Sequence, residues 1–358
     1  MQQTCENDGS ETPNLCHCIN SNHYNYLIAA VVLLLASVSI VLLISYDRNG
    51  GRFTSTASLL PDRHDIYFSE SEHILLDGVL KKAAMDDDTV ILTVLNAAWA
   101  KPGSVLDQFL ESFRIGDRTL RLLDHLVIVS MDIQAYNRCK SVHSNCVPLS
   151  TPGVDFSGQS DFMTNGYLKM MWKRIDLLWI VLQKGYNFIF TDTDVMWFRD
   201  PLPMFYKDGD FQISCDYFRG NPLDIQNNLP NGGFNYVKSN RRTIEFYRFW
   251  YASRLKYPGR NDQEVLNFIK ADPFINGIGL KIRFLDTAYF GGLCEKSEDF
   301  QKVCTMHANC CIGLSRKVLD LRTMLEDWKK FLSFAPNIRN LHSSFWSVPK
   351  NCSMQPII

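Results

Sequence analysis

Two acidic residues one position apart, Asp192 and Asp194 in the run FIFTDTDVMW, carry the strongest chemical signal in the sequence. The preceding FIF is apolar and reads as a buried strand. Alternate side chains on a strand share a face, so both carboxylates are expected to point one way and Thr193 the other. Converging carboxylates repel each other unless a proton or cation separates them. A hard divalent cation, Mn²⁺ or Mg²⁺, takes such oxygen ligands and is often shared with phosphate oxygens. The chemistry expected of the pair is therefore to hold a metal that offsets the charge of a diphosphate. Solvated or turn-capping aspartates are the plain alternative. The strand before the pair and VMWFRDPL after it favour the metal. A phosphatase-type nucleophilic Asp fits less well, because roughly a hundred residues of domain precede the motif.

The elements that must position this pair alternate along the chain. VILTVLN (90–96) and HLVIVSMD (125–132) are compact apolar runs and read as buried strands. Residues 167–184 form a long helix, apolar almost all round, with Gly185 as its C-cap, and FIFTDTDVMW follows as a third strand. Buried strands separated by helices imply an α/β, Rossmann-type sheet with helices on both faces. Ligands in such sheets bind beyond the carboxyl ends of the strands. Strands at 212–216, 233–239 and 281–286, and helices at 241–255, 263–269 and 315–333, complete the pattern and make the sheet mixed. The aromatic run FYRFWY (246–251) reads as core.

Other polar residues carry two readings each. Asn231-Gly232-Gly233 either lets backbone approach a ligand closely or makes a tight turn. Asp216 ends a strand and either binds sugar hydroxyls or closes a turn. Of Lys169, Lys173 and Arg174 on the long helix, one is expected to meet a phosphate, with Lys169 the choice carried forward; a solvated helix face is the alternative for each. Net charge is −1, so nothing global favours nucleic acid or an anionic membrane.

Residues 27–45 contain no charge and are long enough to span a bilayer, which predicts an N-terminal transmembrane helix over 27–46, after a 1–26 tail and before a polar 47–70 stem. Arg48, Arg52 and Arg63 after the span argue for a cytosolic domain. Eleven cysteines, eight of them beyond residue 130, argue for an oxidising lumen, as does the sequon Asn351-Cys352-Ser353. Short loops make Cys139–Cys146 and Cys294–Cys304 the expected pairs.

The stretch YLKMMWKRIDLLWIVLQKGYNFIFTDTDVMWFRDPL, together with QISCDYF, NGGFNYVKSN, NDQEVLN, RFLDTAYFGG and MHANCC, resembles the plant nucleotide-diphospho-sugar transferases related to glycosyltransferase family 77. The resemblance covers about residues 88–334. It implies a GT-A-like fold over 71–340 with a C-terminal tail at 341–358. It also implies a metal, usually Mn²⁺, and retaining transfer from a UDP-sugar to a cell-wall polysaccharide or glycoprotein. A single-pass type II Golgi membrane protein with a lumenal catalytic domain is the matching expectation. The resemblance places His307 as the third metal ligand beside Asp192 and Asp194. It places Asp262 or Gln263 near the donor sugar, the bland reading there being a helix N-cap. Asp192, Thr193, Asp194, Asp216, Gly232, Gly233 and Lys169 would line the donor. The competing class is a non-catalytic Golgi protein that binds carbohydrate or another transferase; an intact Asp pair with His307 argues against it.

Overall fold

The computed structural model describes residues 68–149, 154–339 and 345–352. The tail, the 27–46 anchor and most of the stem lie outside the described residues. Among the described residues no helix is long and apolar enough to cross a membrane.

Among the described residues the first element is helix α1 (Glu70–Ala83), started by a reciprocal Ser69/Glu72 capping box. Strand β1 (Thr89–Leu95), helix α2 (Val105–Ile115), β2 (Leu126–Ser130), helix α3 (Ile133–Val142) and β3 (Cys146–Pro148) follow. Helix α4 (Asn165–Gln183) leads into β4 (Asn187–Thr191), with Gly185 at φ +91° where the helix stops, as its sequence anticipates. The order then runs β5 (Val195–Trp197), β6 (Phe211–Tyr217), β7 (Leu229–Val237), α5 (Arg241–Ser253) and α6 (Asp262–Ile269). Strands β8 (Ile282–Phe284), β9 (Phe290–Gly292) and β10 (Thr305–His307), then helix α7 (Leu314–Ser333), complete it.

A mixed sheet flanked by helices results, in the order β3-β2-β1-β4-β7-β6-β8. The strands from β3 to β4 are parallel; β7 is antiparallel to both of its neighbours. A second sheet, β5-β10-β9, leans on the first through a shared apolar core that includes Trp197, Phe198, Phe234, Phe290 and Trp328.

Three expectations change here. FIFTDTDVMW is not one strand. Strand β4 ends at Thr191, Asp192 to Asp194 make a turn, and β5 belongs to the second sheet. Among the described residues the disulfides are Cys139–Cys146, Cys294–Cys310 and Cys311–Cys352, with Cys304 free and buried. Cys294 pairs with Cys310 because β9 and β10 are parallel. Their register sets Gly292 against His307, which carries Cys294 towards residues 309 and 310, while the Cys304 amide donates to the Tyr289 carbonyl, five residues before Cys294. Loop length alone misses this.

Residues 345–352, expected as part of a tail, instead strap across α7. Trp346 is buried against Phe300, with ring centroids 4.1 Å apart. The buried Asp320 carboxylate accepts from the amides of Lys350, Asn351 and Cys352.

Non-reducing peptide mapping is expected to link Cys294 to Cys310 and to leave Cys304 alkylatable in denaturant without reductant. A Cys294–Cys304 peptide would overturn this register. Replacing Cys311 and Cys352 with serine should cost about 2–4 kcal/mol of unfolding free energy, read as a lower denaturant midpoint.

Candidate active site

The turn after β4 lies at the carboxyl end of the parallel strands. Asp192 continues the β4–β7 ladder by one bond, its amide donating to the Gly233 carbonyl at 2.7 Å. The second sheet then brings in the histidine. β10 pairs antiparallel with β5, so His307 stands opposite Val195, and the Ala308 amide donates to the Asp194 carbonyl at 3.0 Å. Asp192, Asp194 and His307 thereby present one ligand atom each within 4.8 Å of one another. The carboxylates converge because the turn folds them together, not because strand alternation puts them on one face.

Two cations compensate the pair. Arg174, on α4, is buried and donates to Asp192 Oδ1 at 2.8 Å and to Asp262 Oδ2. Its guanidinium also stacks over the Phe190 ring. Lys317, in the first turn of α7, reaches Asp194 Oδ2 at 2.5 Å, and His307 Nε2 lies 3.2 Å from Asp194 Oδ1. Burial pushes the Asp194 carboxyl up, but Lys317 and His307 outweigh it and hold the group well below the usual carboxylate range. Asp192 moves the other way. Burial raises it, Arg174 opposes, and the Asp194 charge adds to the rise. Burial and the Asp262 carboxylate also push the Tyr167 phenol upward, so Tyr167 belongs to the same electrostatic cluster.

The donor set suits a hard divalent cation: two carboxylates and one imidazole. His307 is 8% exposed, and its Nδ1 is buried without a hydrogen-bond partner. This unpartnered imidazole nitrogen beside two carboxylates fits a cation-binding donor set.

Asp216 anchors the neighbouring wall. Its Oδ1 accepts from Asn231 Nδ2 and Asn309 Nδ2, and its Oδ2 from Gln263 Nε2, each at 2.8 Å. Gln263 Oε1 in turn accepts the Gly232 amide at 2.9 Å, so both ends of its side chain are engaged. Burial raises the Asp216 carboxyl, opposed by these amide donors.

The two glycines are not a turn. They lie within β7, where a Cβ on Gly233 would sit 2.4 Å from His307 Cε1 and 2.7 Å from Asp192 Oδ2. A Cβ on Gly232 would sit 3.3 Å from Arg174 Nη2. The site side chains occupy the space that the missing side chains leave.

Asp192, Asp194, His307, Asp216, Gly232, Gly233, Asp262 and Gln263 thus come together. Asn261 is the N-cap of α6, and Asp262 is its first residue, committed to Arg174. Thr193 is buried in the turn. Lys169 stands apart, exposed on α4 at a separate cavity. The helix cation in the site is Arg174. Its signal is position: it opens the unbroken buried run 174–182 of α4, where a solvated arginine has no place. Lys317 also went unread. The first turn of α7 holds no acid, only Arg316 and Lys317, which opposes the helix dipole unless an anion lies nearby.

The sequence pattern of the nucleotide-diphospho-sugar transferase family matches residues 121–321. The chain is 50% identical over 281 residues to uncharacterized protein At4g15970 of Arabidopsis thaliana, covering 78% of this chain and 74% of that one. It is 41% identical over 276 residues to uncharacterized protein At1g28695 of the same plant, covering 76% and 80%. Over 125 residues, 35% of each chain, it is 23% identical to the UDP-D-xylose:L-fucose alpha-1,3-D-xylosyltransferase MGP4 of Arabidopsis thaliana.

Gly233→Ala is expected to weaken Mn²⁺ binding by at least about tenfold in calorimetry, since its methyl would collide with two of the three metal-type ligands. Gly78→Ala, in α1 with open space around it, is the control and should leave binding unchanged. Equal Mn²⁺ affinity in both variants would refute the site geometry.

Proposed function

Because the chain belongs to the nucleotide-diphospho-sugar transferase family, we propose that it is a metal-dependent, retaining glycosyltransferase of GT-A type. On this reading it moves a sugar from a UDP-sugar to a cell-wall polysaccharide or glycoprotein. The observation that carries the proposal is the convergence of Asp192, Asp194 and His307 at the carboxyl end of β4, with Arg174 and Lys317 on the two carboxylates.

Asp192, Asp194 and His307 would hold Mn²⁺ or Mg²⁺. A bound cation there would offset the charge on a departing diphosphate. The remaining roles belong to the chain itself. Lys317 contributes a positive charge at the rim of the metal-type ligands, next to where phosphate oxygens would lie. Arg174 fixes Asp192 and Asp262 relative to each other, so the metal ligand and the sugar-facing carboxylate move as one unit. Gln263, held by Asp216 and by the Gly232 amide, is suited to positioning rather than to attack. Asp262 uses Oδ2 on Arg174 and keeps Oδ1 for a sugar hydroxyl or the reacting face.

Three disulfides and the 27–46 apolar run support a lumenal domain on a type II Golgi anchor. The MGP4 relative, named for transfer from UDP-D-xylose to L-fucose, supports a UDP-pentose or UDP-hexose donor.

Asp194→Asn should reduce Mn²⁺-dependent release of UDP from a panel of UDP-sugars by at least about 100-fold, the scale expected when charge stabilisation of a leaving group is lost. Mn²⁺ should also no longer raise the melting temperature of that variant. Wild-type turnover by Asp194→Asn would end the proposal.

A further inference from the structure

Asn309 lies two residues past His307, is buried, and has both ends of its carboxamide engaged. Its Oδ1 accepts the Cys294 amide at 3.1 Å, and its Nδ2 donates to Asp216 Oδ1 at 2.8 Å. A backbone amide can only donate and a carboxylate can only accept, so these partners fix which end of the side chain is oxygen and which nitrogen. Gly292 of β9 leaves the room, since a Cβ there would collide with Asn309 Oδ1. The Cys294–Cys310 disulfide closes around the same residue. It joins the cysteine whose amide Asn309 accepts to the cysteine that follows Asn309, and Cys294 Sγ itself lies 3.3 Å from Asp216 Oδ1.

A line of bonds runs outward from Asn309. Asp216 of β6 takes Asn309 and Asn231 on Oδ1, which leaves Oδ2 for Gln263 Nε2. Gln263 Oε1 then accepts the Gly232 amide. Asn309, Asp216 and Asn231 are each less than a tenth exposed, whereas Gln263 is half-buried and is the member that reaches solvent. Among the described residues Asp216 has no ion pair, so carboxamide donors alone answer its buried charge. Removing one donor unbalances the rest, because a buried anion short of a partner draws its remaining donors into new positions.

We propose that Asn309 is a positioning residue: clamped by the Cys294 amide and the Cys294–Cys310 disulfide, it orients Asp216 and, through Asp216, the Gln263 carboxamide. This deepens the transferase reading and rests on it, because on that reading Gln263 faces the transferred sugar. The side-chain bonds of Asn309 go to Cys294 and Asp216 and not to Asp192, Asp194 or His307. Its influence therefore falls on the sugar and spares the diphosphate.

The test compares the full chain in detergent with Asn309→Leu, which keeps the shape without polar atoms, and with Asn309→Asp, which turns the donor to Asp216 into an acceptor. A Cys294→Ser/Cys310→Ser variant removes the clamp, and Cys139→Ser/Cys146→Ser controls for the loss of a disulfide as such. UDP affinity with Mn²⁺ is read by calorimetry, and UDP release from whichever UDP-sugar of a panel the unaltered chain turns over fastest. In the Asn309 variants and the Cys294/Cys310 pair, kcat should fall at least about tenfold, as expected when a reacting group is misplaced. UDP affinity and KM should stay within about twofold. The Cys139/Cys146 pair should keep its kcat. Unchanged kcat in the Asn309 variants overturns the proposal, as does a parallel loss of UDP affinity, which would mean that Asn309 acts on the metal-type site or on the fold as a whole. If neither Asn309 variant folds, the Cys294/Cys310 pair decides by the same two readouts. An unaltered chain that binds no UDP, or releases none from any UDP-sugar, ends the transferase reading and this inference together. One that does both, with kcat indifferent to Asn309, ends this inference alone.

Discussion

Asp192 and Asp194 impose the constraint that the surrounding structure answers. Two carboxylates folded against each other in a largely buried turn repel, and burial alone would drive both to take up protons. The fold meets this from both sides. α4 delivers Arg174 to Asp192, and α7 delivers Lys317 to Asp194. The result is an asymmetric pair, with Asp194 strongly favoured as the anion and Asp192 raised. The fixed anion lies beside an unpartnered imidazole nitrogen, and its raised partner is bonded to Arg174, which also holds Asp262.

Meeting that constraint brings distant parts of the chain together, and the small sheet and the disulfides brace that meeting. His307 and Lys317 lie ten residues apart and both act on Asp194. The segment between them is tied down twice, by Cys310 to Cys294 and by Cys311 to Cys352. The strap that carries Cys352 is itself held by Asp320, one turn along α7 from Lys317.

The sequence discloses the parts of this arrangement that depend on neighbours in the chain. The long apolar helix, the buried strands around it and the acidic pair at a strand end all follow from local periodicity. So does Gly185, where the helix must stop. What it conceals is long-range. Lys317 meets Asp194 across 123 positions, and Asn309 meets Asp216 across 93. The disulfide partner of Cys294 depends on a parallel register between strands of three residues each, too short to show a period. The glycines of β7 look like a turn because glycine usually marks one. Only the packed site shows that side-chain volume, and not backbone freedom, excludes a larger residue at Gly233 and crowds one at Gly232.

Helix α4 joins these threads. Its buried side carries Arg174, whose charge is consumed by Asp192 and Asp262. Its other side carries Lys169 and Lys173 towards a cavity without a lining carboxylate among the described residues. The two sets of cations answer different demands. Arg174, which holds two carboxylates in fixed geometry, is buried and paired with both, and arginine suits that role because its planar fork makes two directed bonds. Lys169, exposed beside that cavity, keeps its charged head in water on a flexible stem. On this division, α4 carries one cation whose direction is fixed by two carboxylates and another whose stem is left room to move.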